Sequence, residues 1–526
     1  MRPAGNSLRP PASTRKRVLI VNCYFDTTRE PIPRTYKIPQ TIAPVVLAGE
    51  LSTSACEVRV HNEHAQGHLT DRALLGWADM LVLTGLTPAL DRMLHLTAYA
   101  RTLNSKVVVV AGGPAVRSLP GYCGRFFDYA CTGDVEALGD VVRDAFGKDY
   151  VAEVSSPRFD LATWIGRIGH AETSRNCNFR CSFCSMTAER QPYLNYDLEM
   201  LRHQLRALGR REYVTFIDNN FYGSDRRHFT AKLELLGELR DDGWFKGWNA
   251  LVTNDFFYDD SNLDLARRAG CRSLFTGVES FDSNWLNDNN KAQNLRSSSL
   301  ELARRSLDSG IVFLYGLVMD PTSRRVSEIR AEIAQILADP AVPLPCYISL
   351  AIPYPGTPFF RDCLRERRIL PNTRIRDLDP ATLSLASLDP PAELVEQVRR
   401  DWFSPSDRLS VLAHTARTLR TYGDRLDRDQ KLLVAGNAAI LCAPVLSSSP
   451  LHWSPTARKR TRISTSDRLD AAYKPAFPVD GRYSSYFAPT MLTDASGAPS
   501  EELEADLVQD PALAEPFADR TGVSFG

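Results

Sequence analysis

The chain has 526 residues, of which 43% are hydrophobic, so it can bury two or three hydrophobic cores. Lysine and arginine together number 63, as do aspartate and glutamate, so no overall field attracts nucleic acid or an anionic membrane. The composition therefore argues against a nucleic-acid partner and against a membrane partner.

The first 16 residues are polar, contain proline and lack the apolar core of a signal peptide, which predicts a disordered leader. The 11 cysteines are an odd number spread along the chain, and this usage is typical of a reducing compartment. The longest mildly apolar run, residues 432–446, is interrupted by Asn437 and Pro444 and is too short to span a bilayer. We therefore expect a cytoplasmic protein in which this run is a buried helix.

Residues 17–147 alternate short runs of Val, Leu and Ile with amphipathic stretches. Near-continuous apolar runs are what parallel strands buried on both faces require. The strand candidates are residues 17–22, 57–61, 80–84, 106–111 and 127–130, and the helix candidates are residues 43–52, 71–78, 88–103 and 136–146. Five such units predict an α/β domain with a doubly wound, flavodoxin-like sheet that binds a ligand across the carboxyl ends of its strands.

Small, polar loops follow three of these strands at the edge where a ligand would bind. Glycine in such a loop lets the backbone approach a flat or bulky ligand closely. Because similar loops occur in sheets that bind very different ligands, they do not identify the ligand on their own. The candidate binding residues are Thr84, Gly85, Leu86 and Thr87 in the first loop, Gly112, Gly113 and Pro114 in the second, and Gly133 and Glu136 in the third.

Three cysteines, Cys177, Cys181 and Cys184, lie within one short segment. Thiolates are soft ligands suited to iron-sulfur clusters, and a complete set is normally four. A tight group of three without a neighbouring fourth implies a metal site kept open for an exogenous ligand. The alternatives are a zinc site with His170 as the nearest fourth ligand, or three reduced core cysteines, although structural zinc sites usually have paired short spacings.

The spacing Cys-x3-Cys-x2-Cys, with Phe183 just before the last cysteine, resembles the cluster loop of the radical S-adenosylmethionine enzymes. The resemblance implies that Cys177, Cys181 and Cys184 hold a [4Fe-4S] cluster whose open iron binds S-adenosylmethionine. It also implies that Phe183 lies beside the adenine ring, and that an electron from an external flavodoxin or ferredoxin leads to a 5′-deoxyadenosyl radical.

Residues 170–371 repeat strand-then-helix units. Apolar residues spaced by three and four positions mark the helices, as in Leu198, Leu201, Leu205 and Leu208. Six units predict a partial (β/α)6 barrel of the TIM type, with its active site at the carboxyl ends of the strands. The strand candidates are residues 214–218, 248–253, 273–279, 312–318 and 347–352, in addition to the strand that leads into the cysteine loop.

Polar residues end two of the barrel strands. Asp218, Asn219 and Asn220 end the second strand, where the family resemblance implies a site for the amino group of S-adenosylmethionine. The alternative for this segment is a turn cap. Glu279 and Ser280 end the fourth strand, at the ribose-binding position of the family, where a carboxylate can accept hydrogen bonds from two hydroxyls.

Other barrel residues have weaker assignments. Lys291, Arg324 and Arg325 are candidates for the methionyl carboxylate, although lysine and arginine mostly lie on solvated surfaces. Residues 354–358, Tyr-Pro-Gly-Thr-Pro, match a turn that follows the last barrel strand in cobalamin-linked members. Two prolines and a glycine indicate a structural turn rather than a contact with substrate.

An α/β domain placed directly before such a barrel resembles the cobalamin-binding domain of many radical S-adenosylmethionine enzymes. The resemblance covers most of residues 17–147, and its best local matches are the turn at 112–114 and the loop at 133–136. It implies that cobalamin binds at the carboxyl edge of this sheet.

The first strand is not followed by the Asp-x-His-x-x-Gly loop of classical cobalamin domains. The near-match at His64 follows the second strand instead, so we interpret His64 as a solvated loop residue rather than a cobalt ligand. The radical enzyme branch commonly lacks this histidine. We therefore expect cobalt without an imidazole below it, its lower face near Leu86 and Thr87.

The resemblance fades after residue 371. Residues 372–492 predict a small, mostly helical domain that covers the mouth of the barrel, where substrate would enter. The basic run 458–462 is either a solvated loop or a binding site for a phosphate or a carrier. The acidic tail, 493–526, is expected to be loosely ordered. The complete division is a leader at 1–16, a cobalamin domain at 17–147, a linker at 148–169, a radical core at 170–371, a helical domain at 372–492 and the tail.

The resemblance implies a cobalamin-dependent methyltransferase that acts, as a monomer, on an unactivated carbon of a small-molecule or carrier-bound natural product. A second radical reaction within this architecture is ring closure, rearrangement or oxidation without methyl transfer. A sensor that binds both cofactors without turnover is an alternative from another class. A methylthiotransferase acting on RNA has little support, because the chain has zero net charge and no recognised RNA-binding appendage.

Overall fold

The computed structural model describes residues 15–25, 41–189, 191–380, 382–399, 405–446, 462–464 and 473–508. Its N-terminal sheet has five parallel strands in the order β2-β1-β3-β4-β5. This is the flavodoxin-like doubly wound order, so the fold class predicted for the first domain is confirmed. The strands are β1 (Lys16–Asn22), β2 (Cys56–Asn62), β3 (Met80–Thr84), β4 (Val108–Gly112) and β5 (Tyr129–Cys131).

Seven helices cover the two faces of this sheet. Helix α4 is buried along most of its length, because a C-terminal segment packs against the side that faces away from the sheet. The sequence of α4 alone does not predict this burial. The helices are α1 (Ala43–Gly49), α2 (Glu63–Gln66), α3 (Arg72–Trp77), α4 (Leu90–Leu103), α5 (Pro114–Ser118), α6 (Pro120–Cys123) and α7 (Ala137–Phe146).

The second sheet has six parallel strands in the order β13-β12-β11-β10-β9-β6, which follows the chain. Strands paired in chain order with helices between them form the partial barrel that the sequence predicts. A short antiparallel pair, β7 with β8, precedes the second barrel strand. The strands are β6 (Ile168–Ala171), β7 (Ser174–Arg175), β8 (Leu194–Asn195), β9 (Tyr213–Phe216), β10 (Gly247–Val252), β11 (Cys271–Glu279), β12 (Val312–Met319) and β13 (Tyr347–Leu350).

Eight helices accompany the barrel strands. The leucines predicted to pack inward do so, since Leu201, Leu205 and Leu208 are 1–3% exposed and belong to the largest hydrophobic core. The helices are α8 (Ser185–Glu189), α9 (Leu198–Leu208), α10 (Arg226–Asp241), α11 (Ser261–Arg268), α12 (Ser283–Asp288), α13 (Ser299–Asp308), α14 (Val326–Ala338) and α15 (Pro358–Arg365).

Helices α17 and α18, after the barrel, lie at the opposite end from the one we expected. Gln430, at the start of α18, donates to the carbonyls of Arg272 and Gly310, which lie at the amino ends of barrel strands. Tyr422 packs in an apolar cluster with Val312, the first residue of β12. For α17 and α18 the expectation of a cover over the barrel mouth is therefore wrong. The helices are α16 (Pro391–Arg399), α17 (Pro405–Tyr422) and α18 (Arg428–Leu446).

Other parts of residues 372–492 do lie at the carboxyl ends of the strands, since the Leu350 amide at the end of β13 donates to the Pro380 carbonyl and the Leu388 amide donates to the Pro321 carbonyl after β12.

The expectation of a loosely ordered tail is wrong for residues 493–508. Helix α19 (Glu504–Val508) follows Leu503, and both Leu503 and Leu507 are buried against the N-terminal domain. Asp506 accepts hydrogen bonds from the backbone of Gly121 and Tyr122. Residues 509–526, residues 458–461 of the basic run and the leader to residue 14 lie outside the described residues.

The remaining strands, β14 (Thr382–Leu383) and β15 (Arg462–Ile463), form a short parallel pair. The apolar run at 432–446 is part of α18, as its pattern predicts, but the expectation that it is buried is wrong for its start, since Leu432 is 59% exposed. In the parts of the chain that the structure describes, no helix combines the length and the apolar character needed to cross a bilayer.

Candidate functional site

The three cysteines lie in the loop between β7 and α8, at the carboxyl edge of the barrel. The loop starts at Asn176, whose φ of 61° is a left-handed conformation and whose side chain donates to the Pro192 carbonyl. Burial, and to a smaller extent Cys181, raise the pKa of the Cys177 thiol and raise that of Cys184 to about 12. The three sulfurs are therefore close enough to influence one another.

Side chains from three neighbouring segments fix this loop. Asn220 donates to Asn178 over 2.7 Å, which ties the loop to the end of β9. Ser182 donates to the Asn289 side chain over 2.7 Å. Gln293 donates to the sulfur of Cys181 at 3.5 Å. The cysteines are thus held in a preformed arrangement, as a metal cluster requires.

The donor set fits a cluster better than a single ion. Among the described residues, no three or more His, Cys, Asp or Glu side chains are grouped so that they could hold one metal ion, which argues against zinc bound with His170. In an iron-sulfur cube each cysteine binds a different iron atom, so the sulfurs stand farther apart than around one ion. Lys291 lowers the pKa of Cys177 and Cys184, and this favours the thiolates that iron needs.

Glu279 and Lys291 form a buried ion pair beside the cysteine loop. Lys291 Nζ lies 2.8 Å from Glu279 Oε1, and the side chains are 8% and 13% exposed. Burial alone lowers the pKa of Lys291, but Glu279 and Cys181 raise it above its usual range. Glu279 has a φ of 63° at an irregularity in β11, and its carboxylate occupies the space that a Cβ on Gly277 would need. The predicted ribose position is thus joined to the cluster loop by Lys291.

Phe183 projects from the cysteine loop against the same group. Its ring lies 5.5 Å from the ring of Trp285, and Lys291 Nζ lies 5.7 Å from its centroid. The structure therefore brings together Cys177, Cys181, Cys184, Phe183 and Glu279, as the sequence predicts, although their ligand roles stay predictions.

Asp218, just after β9, is buried and has partners within the protein. Its carboxylate is buried and accepts hydrogen bonds from the backbone and hydroxyl of Thr173 and from the hydroxyl of Ser174. Lys232 Nζ donates to the same Thr173 hydroxyl over 2.9 Å. Asn219 next to it is exposed. These contacts give Asp218 a structural role that the sequence did not predict, in which it stabilises the segment that leads into the cysteine loop. The turn cap weighed as the alternative is made by Asn220, whose side chain accepts from the Tyr222 amide.

Ser280, Arg324 and Arg325 likewise have partners in the protein. Ser280 donates to Glu332 over 2.8 Å, and Arg324 forms a buried ion pair with the same carboxylate at 2.7 Å. Arg325 pairs with Asp389 at 3.2 Å near the surface. None of these three side chains is placed in contact with the cysteine loop by a described interaction.

The sequence interpretation assigned no site role to three residues near the site, of which Tyr354 belongs to the turn at 354–358 that it interpreted as structural. Asp255 follows β10 at the carboxyl edge, and this position was a usable signal. Tyr347 covers Gly316, lies beside Phe275 and interacts electrostatically with Glu279 and Lys291. Tyr354, whose pKa burial raises to about 12, lies near Cys184. Tyr347 could not be found from spacing, because its direction depends on the register of β12 and β13.

The carboxyl edge of the N-terminal sheet forms a cradle. A Cβ on Gly113, whose φ is 106°, would lie 2.7 Å from the Gly85 carbonyl oxygen, so the two loops touch through their backbones. Leu86 is 67% exposed on this edge, although it is a large apolar residue, whereas Thr87 is buried. A flat macrocycle such as a corrin fits an edge with bare backbone and an uncovered apolar side chain.

His64 does not join this cradle. It lies in α2, after the second strand, and its ring contacts that of Tyr24 with centroids 3.9 Å apart. The expectation of a solvated loop residue is therefore wrong, since His64 lies in a helix and is half-buried, and its role toward cobalt stays a prediction.

The two carboxyl edges face each other across the cysteine loop. Arg117, just after the turn at 112–114, donates to the Gly133 carbonyl and forms an ion pair with Glu189, at the end of α8. Ser118 donates to the Pro355 carbonyl over 2.9 Å, so the turn at 354–358 contacts the N-terminal domain. The cradle and the three cysteines therefore lie on opposite sides of one interface.

Comparison with known proteins agrees with this geometry. Residues 171–325 match the family model described as the Radical SAM superfamily. An uncharacterized methyltransferase of Synechocystis sp. is 25% identical over 319 residues, which cover 57% of this chain and 58% of that protein. The hopanoid C-2 methylase of Rhodopseudomonas palustris is 25% identical over 327 residues, which cover 56% and 59%. The chain thus spans somewhat over half the length of these curated relatives.

A solved structure extends the similarity to the whole architecture. The cobalamin-dependent S-adenosylmethionine radical enzyme OxsB, with aqua-cobalamin and S-adenosylmethionine bound, matches with a TM-score of 0.55 at 14% identity. The match covers 83% of this chain and 74% of that one. At this identity the likeness concerns the fold, in which an N-terminal α/β domain precedes the partial barrel.

Proposed function

We propose that this radical SAM enzyme, which has the architecture of the cobalamin-dependent members of its superfamily, transfers a methyl group to a carbon atom of its substrate. The observation that carries the proposal is the apposition of the two carboxyl edges. The glycine cradle of one sheet faces the three-cysteine loop of the other, with Arg117 and Ser118 joining them. Two cofactors bound at these edges would share one enclosed space.

When bound, a [4Fe-4S] cluster with S-adenosylmethionine supplies radical chemistry, and cobalamin supplies the methyl group. Cys177, Cys181 and Cys184 would hold the cluster. Glu279 would accept hydrogen bonds from ribose hydroxyls, and Lys291 would hold that carboxylate in place.

The N-terminal edge has a different task. Gly85 and Gly113 would let the corrin lie against bare backbone, and Leu86 would cover its lower face with an apolar group. Leu86 cannot ligate cobalt, and the His64 ring packs against Tyr24 in α2. The protein would therefore orient the corrin by shape and exclude water from it, rather than bind its metal.

The substrate is proposed to be a small molecule or a carrier-bound natural product, methylated at an unactivated carbon. Methylation of a hopanoid carbon by one relative supports a carbon acceptor. We also propose an external flavodoxin or ferredoxin as the electron donor, a monomeric state and a cytoplasmic location, where the three cysteines stay reduced.

Labelled S-adenosylmethionine tests the function. The anaerobically reconstituted protein, supplied with cobalamin and a reductant, is incubated with methyl-labelled S-adenosylmethionine and candidate substrates, and products are analysed by mass spectrometry. The proposal expects 5′-deoxyadenosine and a product that carries the label. Cleavage of S-adenosylmethionine with an altered but unlabelled product would contradict methyl transfer and indicate the rearranging reaction instead. Binding without cleavage would indicate a sensor.

A further inference from the structure

Polar side chains form a row across four neighbouring strands of the barrel. Strand pairing places His170 of β6 beside Thr215 of β9, Thr215 beside Asn249 of β10, and Asn249 beside Ser273 of β11. Ser273 donates to Asn249 over 2.7 Å, and Asn249 donates to the Thr215 hydroxyl over 3.3 Å. Residues in register on neighbouring strands lie on the same face of a sheet. We call these four residues the polar row.

His170 faces the inside of the barrel. A Cβ on Gly169 would lie 2.6 Å from the Leu208 side chain of α9, so Gly169 faces the outer helices. Side chains alternate along a strand, and His170 therefore faces inward. It is 5% exposed, and within the described residues neither of its ring nitrogens forms a hydrogen bond. Burial lowers the pKa of His170 to about 4, so the ring is neutral and offers one donor and one acceptor to a ligand.

An internal space adjoins Thr215 and Asn249. Strands β9 and β10 each lie between two other strands, and their outward residues Phe216 and Trp248 are fully buried in the largest core. Thr215 and Asn249 are nevertheless only half-buried, so the exposed part of each faces the inside of the barrel. In the described part of the chain no group accepts the Thr215 hydroxyl proton. The polar row therefore lines a space and keeps unused hydrogen-bonding groups there.

Helix α18 closes this space at the amino end of the barrel. Tyr213, two residues before Thr215 on β9, donates to Asp429 of α18. Toward the other end, Leu251 and Phe275 each stand two residues after a member of the polar row and are half-buried. Among the described residues they join none of the hydrophobic cores, so they form apolar walls of the same space.

The space ends at the cysteine loop. Glu279, which pairs with Lys291 beside that loop, stands six residues after Ser273 on β11. At about 3.3 Å per residue, this separation is roughly 20 Å along the strand. A molecule that fills the space would thus have a polar end above α18, an apolar body beside Leu251 and Phe275, and its other end at the predicted cofactor site.

We propose that the polar row binds an alcohol group at one end of an elongated, uncharged and otherwise apolar substrate. The inference rests on the proposed function, in which the reacting carbon lies near the cysteine loop. An alcohol both donates and accepts hydrogen bonds, so it complements the neutral His170 ring and the Thr215 hydroxyl. A carboxylate or an ammonium group is disfavoured, because the row contains no charged side chain to balance it.

Binding of simple probes tests the assignment without turnover. The protein with its cluster and cobalamin, but without reductant or S-adenosylmethionine, is titrated anaerobically in a calorimeter with 1-octanol, 1-chlorooctane and octanoate. Thr215→Val keeps the branched shape of the side chain and removes its hydroxyl, and His170→Phe removes the ring nitrogens. Thr421→Val, at an exposed threonine of α17, is the matched control. Iron and cobalamin are quantified in every preparation.

The expected result is a loss that is selective for the alcohol. The wild type binds 1-octanol about tenfold more tightly than octanoate, because the charged group finds no cation in the row. Thr215→Val and His170→Phe each weaken the binding of 1-octanol about fivefold, as the loss of one hydrogen bond predicts. Both variants bind 1-chlorooctane as the wild type does, since that probe makes no such bond. Thr421→Val binds all three probes unchanged. The two variants change different strands, so either one decides if the other loses its iron.

Other results overturn the assignment. Equal weakening for 1-octanol and 1-chlorooctane would show that the row acts through shape alone. Octanoate bound as tightly as 1-octanol, or no saturable binding of 1-octanol to the wild type, would likewise contradict an alcohol site. Failure of the proposed function is distinguishable, since a wild type with this selectivity that transfers no methyl group would contradict the function and leave the alcohol site standing.

Discussion

Arg175 donates a hydrogen bond from Nη1 to the Glu136 carboxylate over 2.7 Å, across the boundary between the two sheets. Its Nε donates to Tyr196 at the same time. Arg175 lies two residues before Cys177, and Glu136 precedes α7 of the N-terminal domain. The contact therefore ties one flank of the cysteine loop to the glycine cradle, as the ion pair between Arg117 and Glu189 ties the other.

Replacing Arg175 should disturb the spacing of the two cofactors. We expect the Arg175→Met variant to form less methylated product for each S-adenosylmethionine cleaved, because the two cofactor sites are no longer held at a fixed distance and orientation. The measured quantity is the ratio of methylated product to 5′-deoxyadenosine. Arg167→Met, which removes an exposed pair with Glu212, is the control. An unchanged ratio in Arg175→Met would contradict the spacing role.

Loss of any one of the three loop cysteines should remove the cluster. We expect Cys181→Ala to bind little iron and to cleave no S-adenosylmethionine, since two thiolates do not hold a cube. Iron analysis and the absorption spectrum of anaerobically purified protein give the result. Cys346→Ala, at a partly exposed cysteine outside the loop, should keep its iron. Full iron in Cys181→Ala would refute the cluster.

The glycine cradle can be tested with two glycines of nearly equal backbone geometry. Gly113 has a φ of 106° and Gly147 a φ of 107°, but a Cβ meets the Gly85 carbonyl at Gly113 and nothing within 4 Å at Gly147. We expect Gly113→Ala to weaken cobalamin binding by tenfold or more, and Gly147→Ala to lose about 1 kcal/mol of stability without loss of binding. Equal cobalamin affinities for the two variants would count against the cradle.

Glu172 should make stability depend on pH. Burial and nearby Asp218 raise its pKa to about 7. Because this pKa is higher in the folded state than in the unfolded state, the folded protein binds the proton more tightly. Protonated Glu172 therefore favours folding below the usual pKa of glutamate, and this contribution to the free energy of unfolding is lost as the pH rises through 7. We expect Glu172→Gln to gain stability relative to the wild type by about 2 kcal/mol between pH 5 and pH 8, in chemical denaturation. The exposed Glu199→Gln should show no such trend.

The folded part of the tail should contribute to stability. Leu503 is fully buried against the N-terminal domain. We expect Leu503→Ala to lower the free energy of unfolding by about 3 kcal/mol, whereas the exposed Glu501→Ala should leave it nearly unchanged. Equal unfolding curves for the wild type and Leu503→Ala would show that the segment does not pack there in solution.

Local sequence patterns were sufficient to predict the strands of both large sheets and the position of the cysteine loop. Strands such as β4 are short apolar runs, and the spacing of Cys177, Cys181 and Cys184 depends on neighbouring residues alone. The position of α18 was not predictable, because its apolar contact surface combines Leu307 and Val312 with Ala341 from another part of the chain. Tyr347 was missed for the same reason, since its place over Gly316 follows from pairing between strands.

The contacts of the C-terminal segment with α4 imply an order of events during synthesis. Asp91 of α4 is buried only when Tyr473 and Thr490 donate hydrogen bonds to it, nearly 400 residues later in the chain. At typical ribosomal rates of 5–20 residues per second, those residues take roughly 20–80 s to emerge. During that interval the nascent N-terminal domain presents an uncovered, partly apolar helix, the kind of surface that chaperones retain.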